Sequence, residues 1–144
     1  MAINSDKLIK ALDNEQNESM MNLTTKKIRE MNISILKELH LTKTDMAEFI
    51  KKLKDYKYVD EMNDLKTGTY IRWINITVPE NLDLNKGAIF TTTNVTDKGV
   101  FIVCKTVTQY KPIFFQLKLE ENLIFQKLTT EELVLLSALD HLAT

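Results

Sequence analysis

The chain has little of what most site chemistry is made from. Its 144 residues include one cysteine, two histidines, three glycines and two prolines. A single cysteine, Cys104, excludes an intramolecular disulfide, and its place in a strand pattern suits a small buried hydrophobe. A lone cysteine without a signal-peptide pattern leads to the expectation of an intracellular protein, in cytoplasm or nucleus. Three isolated glycines cannot build a phosphate-cradling loop, and no Gly-x-Ser-x-Gly elbow is present. His40 and His141 have no metal-ligand companions at useful spacing, and Cys104 has no neighbouring cysteine. Glu120-Glu121 and Glu131-Glu132 fall at a turn and a helix start, where acids are structurally favoured. The sequence therefore nominates no catalytic residue, metal ligand or cofactor, and the chain reads as non-enzymatic. No apolar run approaches membrane-spanning length. There is no excess of one charge: 19 basic residues stand against 20 acidic ones. Residues 1–60 carry 11 basic and 10 acidic side chains, and residues 61–144 carry 8 and 10. A protein living on nucleic-acid phosphates usually shows a clear basic excess.

What is present is ordinary globular material, 44% hydrophobic and 27% charged. That is enough for one domain, or a small domain with a helical arm. The first 60 residues read as that arm or hairpin. Ser5 is a plausible N-cap for a helix with Leu8, Ile9, Ala11 and Leu12 on one face. A polar stretch over 14–19 then breaks the stripe. Thr24 or Thr25 caps a stronger helix running through His40, with Ile28, Met31, Ile35 and Leu39 at helical spacing. Thr42 with Asp45, or Thr44 with Glu48, starts a third helix carrying Met46, Phe49, Ile50 and Leu53. Lys51, Lys52, Lys54 and Lys57 cluster near its end, where cations suit the helix dipole. Two helices joined by a brief turn also suggest a helix-turn-helix. The balanced charge counts against it, and the second helix presents Lys and Glu rather than base-reading Arg, Asn and Gln.

Residues 61–128 change character. Five strands are expected, over 70–77, 88–95, 99–107, 113–119 and 123–128. In the first, period two separates Ile71 and Trp73 from Tyr70, Arg72, Ile74 and Ile76. Both sets are largely apolar, so this strand is expected to be covered on two sides. Thr96-Asp97-Lys98-Gly99 is the clearest hairpin signal. Val100 to Cys104 form the most apolar strand and are expected at the sheet centre. Phe115, Leu117 and Leu119 alternate with Gln116 and Lys118. Thr129-x-x-Glu132 is a capping box that launches a closing helix in 129–144, expected to lay Leu135, Leu136, Leu139 and Leu142 on the sheet.

The fold class is thus α+β: a helical arm or hairpin, a five-stranded antiparallel barrel and one C-terminal helix. One strand, a long loop, two successive hairpins and a short last strand resemble the order of an SH3-like or Tudor-like small barrel. An OB-like barrel is the alternative of similar strand count. Leu65-Lys66-x-Gly68-x-Tyr70-Ile71-Arg72-Trp73-Ile74, with Lys86-Gly87-Ala88-Ile89-Phe90 downstream, also resembles small modules in proteins of large eukaryotic DNA viruses. That resemblance would extend the expected location to a virion.

The expected function is a non-catalytic protein-interaction or structural module that docks on a protein partner, or on its own copies, through surplus apolar faces of arm and barrel. Barrels of the class it resembles recognise ligands through exposed aromatics. Tyr70, Arg72, Trp73, Phe90, Phe101, Tyr110 and Phe114 are the candidate contact residues. A cage for a methylated cation would need three aromatics around one pocket. A nucleic-acid adaptor is the second reading, through Lys51, Lys52, Lys54, Lys57, Arg72 and Lys105 beside exposed aromatics. An accessory subunit or small enzyme of unassigned substrate is the third.

Overall fold

The computed structural model describes residues 5–14, 17, 20–108 and 110–143. Among them are four α-helices: α1 (Ser5–Asp13), α2 (Thr25–Lys37), α3 (Lys43–Lys52) and α4 (Thr130–Leu142). The helix starts follow their capping residues. The Thr24 hydroxyl accepts from the Lys27 N–H at 3.1 Å, and the Thr42 hydroxyl from the Asp45 N–H at 3.1 Å. Thr129 and Glu132 form the full reciprocal capping box. The second helix ends at Lys37 rather than at His40; His40 takes φ 54°, a left-handed conformation that turns the chain toward α3. Residues 15, 16, 18 and 19 of the polar stretch lie outside the described residues.

The sheet has six antiparallel strands, not five: β1 (Tyr56–Val59), β2 (Tyr70–Asn75), β3 (Asn85–Thr96), β4 (Gly99–Thr106), β5 (Phe114–Lys118) and β6 (Asn122–Lys127). Their order is β1-β6-β2-β3-β4-β5, an open ladder with β1 and β5 at its edges. The extra strand, β1, comes from the end of the stretch expected to be the helical arm. It pairs with β6, Tyr56 opposite Lys127 and Val59 opposite Ile124. The apolar β4 is not central, since only β5 lies beyond it. The most enclosed strand is β6, whose residues 122–126 are all buried. It sits between β1 and β2 and is covered on both faces. The β3–β4 hairpin turns at Asp97-Lys98 with Thr96 opposite Gly99, as its turn residues dictate. Gly99 takes φ 127°, which L side chains rarely adopt.

Strand alternation sorts the apolar residues into two layers. The inner face gathers Ile71, Ala88, Phe90, Ile102, Cys104 and Ile124, with Trp73, Phe115, Leu117 and Leu119 packed around them. The outer face of β1, β6 and β2 presents Phe125, Leu123 and Ile74 to the α2–α3 hairpin, where Leu36, Phe49 and Leu53 meet them. Leu82 and Leu84 of the β2–β3 loop close one side of that layer. The two-sided cover expected for the first barrel strand is therefore real, and the helical hairpin provides it.

A third cluster joins α1, α4 and the start of α2 through Ala11, Met20, Ile28, Leu128, Leu135 and Leu136. The apolar face expected for α1 divides, because Ala11 is buried while Ile9 and Leu12 are exposed. The leucines of α4 divide too. Leu135 and Leu136 enter this helical cluster rather than the sheet, and Leu142 is 78% exposed.

Cys104 lies fully buried on the inner face, and burial pushes its thiol up to about 12. The native protein is expected to resist a thiol-reactive reagent at neutral pH and to react stoichiometrically only in denaturant. Prompt labelling of the folded protein would contradict this placement.

Candidate interaction surfaces

The buried polar groups around Lys66 and Gln126 form a hydrogen-bonded network. The Lys66 ammonium lies 3.1 Å from a Glu132 carboxylate oxygen and donates to the Asn17 side-chain oxygen at 2.8 Å. Asn17 in turn donates to Glu131 at 2.9 Å and to the Ala11 carbonyl at 3.0 Å. Gln126, buried in β6, accepts from the Lys66 N–H and the Thr69 hydroxyl and donates to the Asp64 carbonyl. Each donor meets an acceptor, so the network holds α1, the β1–β2 connection and α4 together. Among the described residues no group of three or more His, Cys, Asp or Glu side chains has metal-site geometry. No helix among them is long and apolar enough to cross a membrane.

Side-chain hydrogen bonds from Asn14 and Asn17 hold the Glu131 carboxyl below the usual carboxylate range, with Lys66 and Lys10 helping. A carboxyl depressed in the folded state contributes stability that is present above its unfolded value. That contribution is lost as pH falls through the folded value. Acid titration of the wild type is expected to lose stability in this window, and Glu131→Gln is expected to flatten that part of the pH–stability curve. Parallel curves for the two proteins would contradict it.

The seven candidate contact residues do not form one site. Phe90 is 4% exposed and belongs to the inner core, and Trp73 packs beside it, its ring 5.6 Å from that of Phe115. Both are packing residues, because their strand parity turns them inward. Arg72 faces outward on β2, 5.6 Å over the Tyr56 ring, with its Nε buried and without a protein partner. The remaining four are accessible. Tyr70 on β2 is 44% exposed, Phe114 on β5 is 61% exposed and Tyr110 in the β4–β5 loop is 85% exposed. Phe101 on β4 is half-buried.

Three of these belong to one surface. The register pairs Tyr70 with Ile89, Ile89 with Lys105, and Lys105 with Phe114. These side chains form a row across the outer face of four strands. Phe101 and Val103 continue that face along β4. Among the described residues, the α2–α3 hairpin packs on the outer face over β1, β6 and β2, and no residue of β3, β4 or β5 enters that cluster. Tyr70 and Phe114 stand three strand spacings apart, ~14 Å. The row is therefore a strip and not an aromatic cage.

The basic set divides more widely. Lys51, Lys52 and Lys54 lie at the end of α3, where Lys52 is paired with Glu48 at 2.6 Å. Lys57 shares the face of Val59 on β1, opposite to the face carrying Arg72 and Lys105. The six cations line no continuous track.

Sequence reasoning missed the difference between the two sheet edges. At β1, the Asn32 side chain donates to the Tyr56 carbonyl at 2.9 Å and accepts from the Tyr58 N–H at 2.9 Å. An asparagine of α2 thus occupies the edge where a neighbouring strand would pair. At β5, the Ile113 carbonyl bonds back to the Thr106 N–H, which leaves the N–H and C=O groups of Phe114 and Gln116 facing away from β4. The Lys118 carbonyl is taken by the Asn122 side chain. Ile113 and Phe114 are 66% and 61% exposed beside this open edge. A buried Asn in an otherwise amphipathic helix was the available signal for the blocked edge. Comparison with protein-family models, curated proteins and solved structures gives no match.

Proposed function

We propose that this protein is a non-catalytic interaction module that takes an extended segment of a protein partner along the free edge of β5. The carrying observation is the asymmetry of the two edges, β1 blocked by Asn32 and β5 open beside exposed Ile113 and Phe114. Strand addition draws affinity from main-chain hydrogen bonds and specificity from the side chains flanking them. The free groups of Phe114 and Gln116 supply the first, and the exposed side chains of Ile113 and Phe114 at the same edge supply the second. The SH3-like reading belongs to the same proposal. It is supported by the run β6-β2-β3-β4-β5, in which the last strand returns to pair with the first strand of the meander.

Gln116→Pro is the direct test. The Gln116 N–H points away from β4, so proline removes an edge donor without removing a ladder bond. The variant is expected to keep its circular dichroism and melting behaviour while losing the partners captured by the wild type from its native source. Phe114→Asp is expected to lose the same partners. Unchanged capture by both folded variants would defeat the reading.

A further inference from the structure

A second surface lies on the other side of the molecule. The α2–α3 hairpin, the start of β1 and the first turns of α4 enclose an apolar groove with a cavity volume of about 310 Å³. Its walls include half-buried Ile33, Ile50 and Leu133, over a floor of buried Ile28, Leu53 and Leu136. Arg29, Lys51 and Lys54 stand around it, and the single acid among the lining residues is Asp55.

The charge around the groove differs from that on the rest of the hairpin. On the same two helices, Lys26 is paired with Glu30 and Lys52 with Glu48. Among the described residues, the side chains of Arg29, Lys51 and Lys54 make no hydrogen bond or ion pair. The helix dipole accounts for Lys51, near the C-terminus of α3. It does not account for Arg29, which lies in the N-terminal half of α2, away from the helix's C-terminal end. Three unpaired cations beside apolar walls complement a segment that brings acids and aliphatic side chains together.

We infer that this groove docks an acidic segment of a partner protein that carries aliphatic anchors. The anchors sit on Ile33, Ile50 and Leu133, and the flanking carboxylates meet Arg29, Lys51 and Lys54. A cavity of this size falls at the lower end of the range for ligand sites, roughly 300–1,000 Å³. It admits a few aliphatic side chains rather than a whole folded surface. The site is separate from the β5 edge and stands or falls independently of it.

The test is a selection from a displayed library of random 14-residue peptides on the full chain, with the charge-reversed variant Lys51→Glu/Lys54→Glu as counter-selection. Both lysines are exposed, so the variant is expected to fold, and circular dichroism verifies it. Enriched peptides are expected to combine Leu or Ile with Glu or Asp. A fluorescein-labelled winner is expected to lose about tenfold or more in affinity on the variant and to weaken as salt is raised. Ile33→Glu is expected to abolish its binding, and Gln116→Pro to leave it unchanged. Three outcomes would overturn the inference. The winners lack acids, or they bind the charge-reversed variant within twofold of wild type. Alternatively, no peptide is enriched while decanoate or a second copy of the chain occupies the groove.

Discussion

Replacing Lys66 by methionine is expected to cost about 3–5 kcal/mol of folding stability, the scale for breaking one side of a buried ion pair. The Lys66 side chain is 13% exposed and that of Glu132 is 4% exposed, so water cannot take over the lost contact. Glu132 cannot move away, because its other carboxylate oxygen accepts from the Thr129 N–H at 2.9 Å and holds the start of α4. The substitution therefore leaves a carboxylate buried with one partner fewer. It also strips the ammonium donor from the Asn17 side-chain oxygen. The double variant Lys66→Met/Glu132→Gln removes the stranded charge and is expected to recover a large part of the loss. Urea denaturation of the wild type, both single variants and the double variant closes a thermodynamic cycle. Additive losses in that cycle would mean that the pair carries no coupling and that the buried network is not what ties α4 down.

Phe125→Ala is expected to cost a similar amount, about 3–5 kcal/mol, for a different reason. Phe125 is fully buried on the outer face of β6, its ring 5.7 Å from that of Tyr58 and in the cluster that seats α2 and α3. Its removal opens a cavity between two rigid layers, and neither can collapse without breaking contacts with the other. The loss should show in equilibrium denaturation and in faster hydrogen exchange across α2, α3 and β1. Leu142→Ala is the internal control, since that side chain is 78% exposed and is expected to change stability little. A Phe125→Ala protein within 1 kcal/mol of wild type would show that the hairpin does not depend on this face.

Local chemistry was readable from the chain because its causes lie within a few residues. Thr24, Thr42 and Thr129 cap the helices they precede, and each bond spans three positions. The Asp97-Lys98 turn sets the β3–β4 register from Thr96–Gly99 as far as Thr92–Val103, beyond which an irregularity between Phe90 and Thr92 shifts it by one residue. The alternation of Phe115, Leu117 and Leu119 with Gln116 and Lys118 correctly turns the apolar set inward. Phe90 and Trp73 are contact candidates by residue type but turn inward in the fold, because residue type alone does not separate a core aromatic from a binding aromatic.

What the tertiary structure decided rests on residues far apart in the chain. Tyr56–Val59 is four residues long and becomes a strand because β6, some seventy positions later, pairs with it. Its outer edge is closed by Asn32 from α2, an interaction that no period in the sequence reports. The enclosure of β6, the turning of α4 toward α1, and the partial exposure of the outer strip on β3–β5 likewise depend on which layers meet. The sequence by itself determined where elements start, stop and alternate, since hydrogen bonds over three or four residues and the two-residue pleat are local. Which edge stays open and which face stays bare are outcomes of long-range packing.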